Sequence, residues 1–192
     1  MATIISNNCL GASIYHDLGL RFESPTINLQ ILPEQYSKFC NNLQHYVQVD
    51  LIEIRPEDFN QYQKDIVFHM FGKIPTDEFP YGLLDDVLVV FQHYKTFEDA
   101  KKSWNRRRAR MDFDHIGYVF WVENDSYKSC AEEFAALNLP NSVVFQKNFT
   151  LPLPCEYHSY TFPIQNNSLD MVNGLHRYQI GFNEKDYVER ID

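Results

Sequence analysis

Long apolar runs are missing from this chain: no stretch approaches the roughly 18 residues that a membrane-spanning helix needs. The first residues, Met1-Ala2-Thr3-Ile4-Ile5-Ser6-Asn7, lack the apolar core of a signal peptide. Both absences predict a cytoplasmic protein. Cysteine is sparse: Cys9, Cys40, Cys130 and Cys155 lie far apart with no Cys-x-x-Cys pair. That argues against a zinc ribbon, a dithiol redox motif and a disulfide framework. The histidines (His16, His45, His69, His93, His115, His158 and His176) show no His-x-x-x-His or other ligand spacing, so no metal site is predicted from them. Glycine is scarce, with 7 in 192 residues, and no Gly-Lys-Ser/Thr phosphate loop is present. An excess of positive charge is also lacking. The formal balance is −9, which argues against a general nucleic-acid or anionic-membrane surface.

What remains is enough for one sizeable core, and residues 1–192 are predicted to form a single domain, with 1–145 as its core and 146–192 as an extension packed on it. Aromatic residues are plentiful at 15%. They read either as a Phe-filled core rimmed by Tyr or as platforms for sugars and bases. Thr3–Ile5 predicts a short strand, Ala12–Leu18 a helix, and Ile27–Leu32 a strand entered from Ser24-Pro25-Thr26. Pro33 opens a helix whose apolar residues Tyr36, Phe39, Cys40 and Leu43 fall at helical spacing. Val47–Ile54 and Ile66–Phe71 read as strands and Lys73–Gly82 as a loop. Val87–Phe91 has the unbroken apolar pattern of a strand buried on both faces. Thr96-Phe97-Glu98-Asp99 caps a helix running to about Met111. Tyr118–Val122 and Ser142–Phe145 predict strands around a helix at Ser129–Leu137. Strands alternating with helices predict an α/β fold with a mainly parallel sheet covered by helices on both faces, a Rossmann-like three-layer arrangement. After Phe145, Pro152, Pro154 and Pro163 punctuate an irregular C-terminal tail.

Two dense polar islands stand directly after apolar strands. One is Ser6-Asn7-Asn8-Cys9 and the other is His93-Tyr94. The carboxyl ends of strands in an open α/β sheet are where ligands bind. The amides of Asn7 and Asn8 suit hydroxyls or a ring edge, or an Asx turn. His93 suits a general base, a phosphate donor or a structural histidine, and Tyr94 supplies a hydrogen bond. Cys9 is either a small core residue or a nucleophile with His16 or His93 as its base. The helix after His93 carries Lys101, Lys102, Arg106, Arg107, Arg108 and Arg110 against Glu98 and Asp99, six cations to two anions, a local balance of +4. Arg108 projects into the stripe of Ala100, Trp104 and Met111, and Arg107 flanks it. A buried guanidinium needs a carboxylate or a bound anion, so these arginines read as internal pairs or as contacts to phosphate. Glu123-Asn124-Asp125 reads as a turn or a weak Mg²⁺ site.

At these residues the chain resembles the bacterial DUF1919 family, found among exopolysaccharide and capsule biosynthesis proteins. The matching stretches are Thr3-Ile4-Ile5-Ser6-Asn7-Asn8-Cys9, Ile14-Tyr15, Leu18-Gly19-Leu20, Ser24-Pro25-Thr26 and Tyr81-Gly82, then Phe91, His93-Tyr94, Trp104, Arg106, Arg107 and Arg110. Arg177-Tyr178 and Asp186-Tyr187-Val188 match more loosely. Leu10 stands where the family tends to have Trp, and Ala12 where it tends to have a second Gly. The resemblance favours Arg106, Arg107 and Arg110 over Arg108 as the functional set. Together these readings make a transferase of surface-glycan synthesis the leading expectation. It would move a sugar or phosphate-linked group from a nucleotide-linked donor to a glycan or lipid-linked acceptor. Arg106, Arg107 and Arg110 would hold phosphate, with His93 as general base or phosphate donor and Tyr94 beside it. Asn7, Asn8, Ser24 and Thr26 would orient the ligands. The alternatives are a non-catalytic glycan- or nucleotide-binding partner in an assembly complex and a Cys9 hydrolase.

Overall fold

The computed structural model of the protein describes residues 1–160, 171–172 and 175–192. In chain order the elements are β1 (Thr3–Ser6), α1 (Leu10–Asp17), β2 (Gln30–Ile31), α2 (Pro33–Asn41), α3 (Leu43–Gln48), β3 (Leu51–Glu53) and α4 (Gln61–Phe71). There follow β4 (Tyr81–Leu84), β5 (Val87–Val90), α5 (Phe97–Arg108), β6 (Ile116–Val122), α6 (Lys128–Ala136) and β7 (Ser142–Lys147). The chain closes with β8 (Glu156–Tyr160), the short pair β9 (Met171–Val172) and β10 (Leu175–His176), and α7 (Glu184–Ile191).

The expected parallel sheet with helices on both faces is present, in the order β1-β6-β7-β8. Its two faces follow from the period-two alternation of β6. Val119 and Trp121 point to a core shared with Ile14 and Tyr15 of α1 and with Tyr187, Val188 and Ile191 of α7. Tyr118, Phe120 and Val122 point the other way, to Tyr36 and Phe39 of α2 and Ala131 and Phe134 of α6. The Tyr36 hydroxyl donates to the carbonyls of Ile5 and Val119, both at 2.9 Å, and so fastens α2 to β1 and β6.

A second sheet, antiparallel with order β2-β5-β4-β3, does not figure in the sequence reading. The apolar run of β5 is buried on both faces as expected, but its neighbours are antiparallel. Val87 and Val89 join the core that α2 shares with the parallel sheet, while Leu88 and Val90 pack under Ile66 and Val67 of α4. Burial on both faces therefore does not distinguish the two kinds of sheet here. Three local expectations are corrected. Residues 66–71 are helical, because Asn60 and Gln63 form a reciprocal capping box and Gly72 ends the helix at φ 67°. Val47 belongs to α3, leaving only Leu51–Glu53 as strand. Of Ile27–Leu32, only Gln30–Ile31 pairs with a neighbour. Past Phe145 the chain is more regular than its prolines suggest, since β8 extends the parallel sheet and α7 covers it. Pro163 lies outside the described residues.

Candidate active site

The turn from β1 into α1 is built by side chains acting on backbone. Asn7 is buried, and its amide donates to the Trp121 carbonyl at 3.0 Å and accepts from the Trp121 N–H at 2.8 Å. Asn7 thus extends the β1–β6 ladder by one step with its side chain. Its own carbonyl accepts from the Ile31 N–H at 2.8 Å, which ties β2 to the same point. Asn8 Oδ1 accepts from the Leu10 N–H at 3.0 Å, and the Asn8 N–H donates to Ser6 Oγ at 3.4 Å. Ser24 and Thr26 are fully buried: their hydroxyls meet at 2.9 Å, and Thr26 Oγ1 accepts from the Ser6 N–H at 3.0 Å. Gly11 lets α1 sit close on β1, since a Cβ there would lie 2.9 Å from the Ser6 Cβ. These groups, read as ligand contacts or, for Asn7 and Asn8, as an Asx turn, frame one residue, and Asn8 makes that turn through Leu10. The framed residue is Cys9, at the N-cap of α1.

Cys9 Sγ lies 3.0 Å from His93 Nε2. His93 arrives from β5 through the turn that carries Tyr94, whose N–H donates to the Phe91 carbonyl at 3.2 Å. The pair opens into a pocket of about 260 Å³ walled by Ala12, Phe22, Asn28 and His176. Ser13 and His16, from the exposed side of α1, complete the lining. Burial pushes the Cys9 thiol up to about 11, so at neutral pH it is a thiol and not a thiolate. The first-turn N–H groups of Gly11 and Ala12 have no acceptor within the helix, and they mark the positive end of its dipole beside the sulfur.

The arginines act one step behind this pocket. Arg107 is 6% exposed, and its Nη1 donates to the Ile27 carbonyl at 3.1 Å and to the Tyr94 hydroxyl at 2.8 Å. Its guanidinium stands 5.6 Å over the Phe22 ring. Arg110 Nη2 donates to the Phe22 carbonyl at 2.7 Å, with its Nε 3.7 Å from Glu23. Both residues fix the segment that supplies Phe22 and Asn28 to the wall. Among the described residues no carboxylate comes within 4 Å of Arg107, and its Nε is buried without a partner. Arg106 is exposed. Arg108, read as an internal pair or a phosphate contact, closes α3 by donating to the carbonyls of Val47 (3.2 Å) and Val49 (2.8 Å), with Asp50 at 4.0 Å.

Other clusters are occupied. Glu123 accepts from Trp121 Nε1 at 2.8 Å and from Lys147 at 2.9 Å, and Asn124 caps the turn at Ser126. Among the described residues no group of three or more His, Cys, Asp or Glu side chains is arranged to hold a metal ion. Glu34, His69 and Ser126 form a hydrogen-bonded chain at 2.8 and 3.1 Å, but Asn124 Oδ1 also engages the Ser126 hydroxyl. That chain clasps α4 to the end of β6 at the surface. A larger hollow of about 540 Å³ lies by the β4–β5 turn, where Lys38 is paired with Asp86.

Sequence reasoning placed Cys9 and His93 at strand ends and named them as a possible pair. It missed Phe22 and Asn28 as wall residues and His176 as a member of the site. No local pattern marks His176, which reaches the pocket from the far end of the chain.

An α/β protein with a cysteine–histidine pair at the carboxyl end of a parallel strand is the class that this fold and site define. The chain belongs to the DUF1919 family: the model described as "Domain of unknown function (DUF1919)" matches residues 1–192. A protein of Haemophilus influenzae, described as uncharacterized, is 27% identical over 191 residues, covering 99% of this chain and 81% of that protein. Among the described residues no helix is long and apolar enough to cross a membrane.

Proposed function

We propose that the protein is a cytoplasmic transferase of surface-glycan synthesis that passes a small activated group through Cys9. The observation that carries this reading is the 3.0 Å contact between Cys9 Sγ and His93 Nε2 inside a pocket. A nucleophile hydrogen-bonded to a base is the geometric signature of covalent catalysis. The pocket falls just below the usual range of about 300–1,000 Å³ for ligand sites. It therefore suits the transferred sugar or phosphoryl unit better than a whole nucleotide-linked donor.

Because the resting sulfur is protonated, His93 takes the thiol proton as Sγ attacks the sugar carbon or phosphorus of the donor. The S–C or S–P bond forms, the bond to the donor oxygen opposite the sulfur breaks, and that oxygen leaves as an anion protonated by solvent, to which His93 gives up the thiol proton. A hydroxyl of the glycan or lipid-linked acceptor then displaces the sulfur, and the thiol is restored. The N–H groups of the first turn of α1, on the sulfur's side, favour the charge that develops on Sγ and on the oxygens of the group being transferred. Arg107 and Arg110 contribute by holding the wall, and Tyr94 links Arg107 to the His93 turn.

The test is intact-protein mass spectrometry after incubation with nucleotide sugars and sugar phosphates, with and without Mg²⁺. A Cys9-linked adduct is expected from one donor class, absent in Cys9→Ala and formed on the order of 100-fold more slowly in His93→Ala. Ligand binding that raises the melting temperature without any adduct, and equally in His93→Ala, would replace the transferase by a non-catalytic binding partner.

A further inference from the structure

The pocket receives a second hydrogen-bonded pair, from opposite ends of the chain. Asp17 closes α1, and His176 belongs to β10, 159 residues further on. His176 Nδ1 lies 2.7 Å from Asp17 Oδ2. The Tyr178 hydroxyl donates to the same oxygen, and His16 Nδ1 lies 3.3 Å from Oδ1. The Tyr178 ring, fully buried, also stacks on the His176 ring with centroids 5.8 Å apart at 21°. Asp17 is only 13% exposed. Burial raises its pKa, but the hydrogen bonds from Tyr178, His176 and His16 outweigh that and hold the carboxyl below its ordinary range.

An ionised acceptor on one side and a stacked ring on the other fix the His176 imidazole. Nδ1–H faces Asp17, which leaves Nε2 as the basic nitrogen. Among the described residues Nε2 has no hydrogen-bond partner, and His176 lines the same pocket as Cys9 and His93. Displacement at a tetrahedral carbon or phosphorus runs in line, so the acceptor oxygen enters opposite the departing sulfur. His93, in contact with the sulfur, stands on the wrong side to receive the acceptor's proton.

We infer that His176, oriented by Asp17, is the base of the second half-reaction, an inference that rests on the covalent reading of Cys9. The acceptor O–H attacks, the new O–C or O–P bond forms, and the bond to Sγ breaks. The acceptor's proton moves to His176 Nε2, from which solvent returns it to the thiolate. Asp17 and Tyr178 are positioning residues.

The experiment uses p-nitrophenyl phosphate as a chromogenic donor and water as acceptor, followed by stopped flow. The wild-type protein is expected to release a burst of about one p-nitrophenol per chain and then turn over slowly. His176→Asn keeps an amide donor near the Nδ1 position and removes Nε2. Its burst is expected to be unchanged while the steady rate falls on the order of 100-fold. Asp17→Asn is expected to show the same split with a smaller loss. An unchanged steady rate in His176→Asn overturns the inference and leaves Cys9 standing. A burst and steady rate that fall together also overturn it, by showing a structural role. A wild-type protein with no burst, or with a burst that survives in Cys9→Ala, ends the covalent reading and this inference with it.

Discussion

Two turns meet at the candidate site, and they are made differently. The turn that carries Cys9 is braced by Asn7, Asn8, Ser24 and Thr26, all bonded to backbone or to each other. The turn that carries His93 is held from behind, through the Tyr94–Arg107 hydrogen bond and the edge contact of Tyr94 with Phe91 at 5.8 Å. His93 itself is exposed. The difference separates two demands on a covalent site. The nucleophile must be fixed relative to the positive end of the helix, whereas the base must shuttle a proton and meets solvent. Polar residues near a site thus divide into those that face the ligand and those that make facing it possible.

The largest expected effect tests the braced side. With its thiol held protonated, Cys9 should react with iodoacetamide about a thousandfold faster at pH 10 than at pH 7, because the thiolate fraction rises tenfold per unit below the pKa. Peptide mass spectrometry separates Cys9 from Cys155, the other half-buried cysteine. A rate that is flat across neutral pH would mean a preformed thiolate–imidazolium pair instead.

Removing the brace should cost the most stability. Asn7→Ala removes both hydrogen bonds that its amide makes to the Trp121 backbone in a buried strand, at about 1–3 kcal/mol each, read from urea unfolding. A loss under about 1 kcal/mol would show that water replaces the amide and that the turn is less rigid than described.

The smallest effect is expected on the other side. His93→Ala should leave unfolding free energy within about 0.5 kcal/mol of the parent, since the ring is exposed. A clear loss of stability would make His93 part of the frame and erase the contrast.

Much of this architecture was legible in the residues because it is local. Thr3–Ser6, the Thr96 cap of α5 and the alternation of β6 follow from short-range pattern, and so does the placement of Cys9 and His93 at strand ends. The residues 66–71 misled because a short apolar run looks alike as strand or helix, although Asn60 and Gln63 carried the capping signal that decides it. The antiparallel sheet was not legible, because strand pairing is a tertiary choice. Nor does residue type reveal that Asn7, Asn8, Ser24 and Thr26 satisfy backbone groups, since an amide or hydroxyl that suits a ligand suits a carbonyl equally. Helical spacing placed Arg107 on the flank of the apolar stripe. Its burial depends on Phe22 and Ile27, some eighty residues away. Asp17 and His176 are farther apart still.

The frame around Cys9 also bears on how the molecule ages. An asparagine deamidates when the N–H of the next residue attacks its side-chain carbonyl, and Asn7 is followed by Asn8. Here the Asn8 N–H is turned toward Ser6 Oγ, and both ends of the Asn7 amide are held by Trp121. Conversion of Asn7 to aspartate would set a carboxylate oxygen against the Trp121 carbonyl in a buried place, exchanging a donor for a repelling charge. The geometry that presents the sulfur therefore also shields this amide, and the shelf life of the folded protein depends on the same few hydrogen bonds as its site.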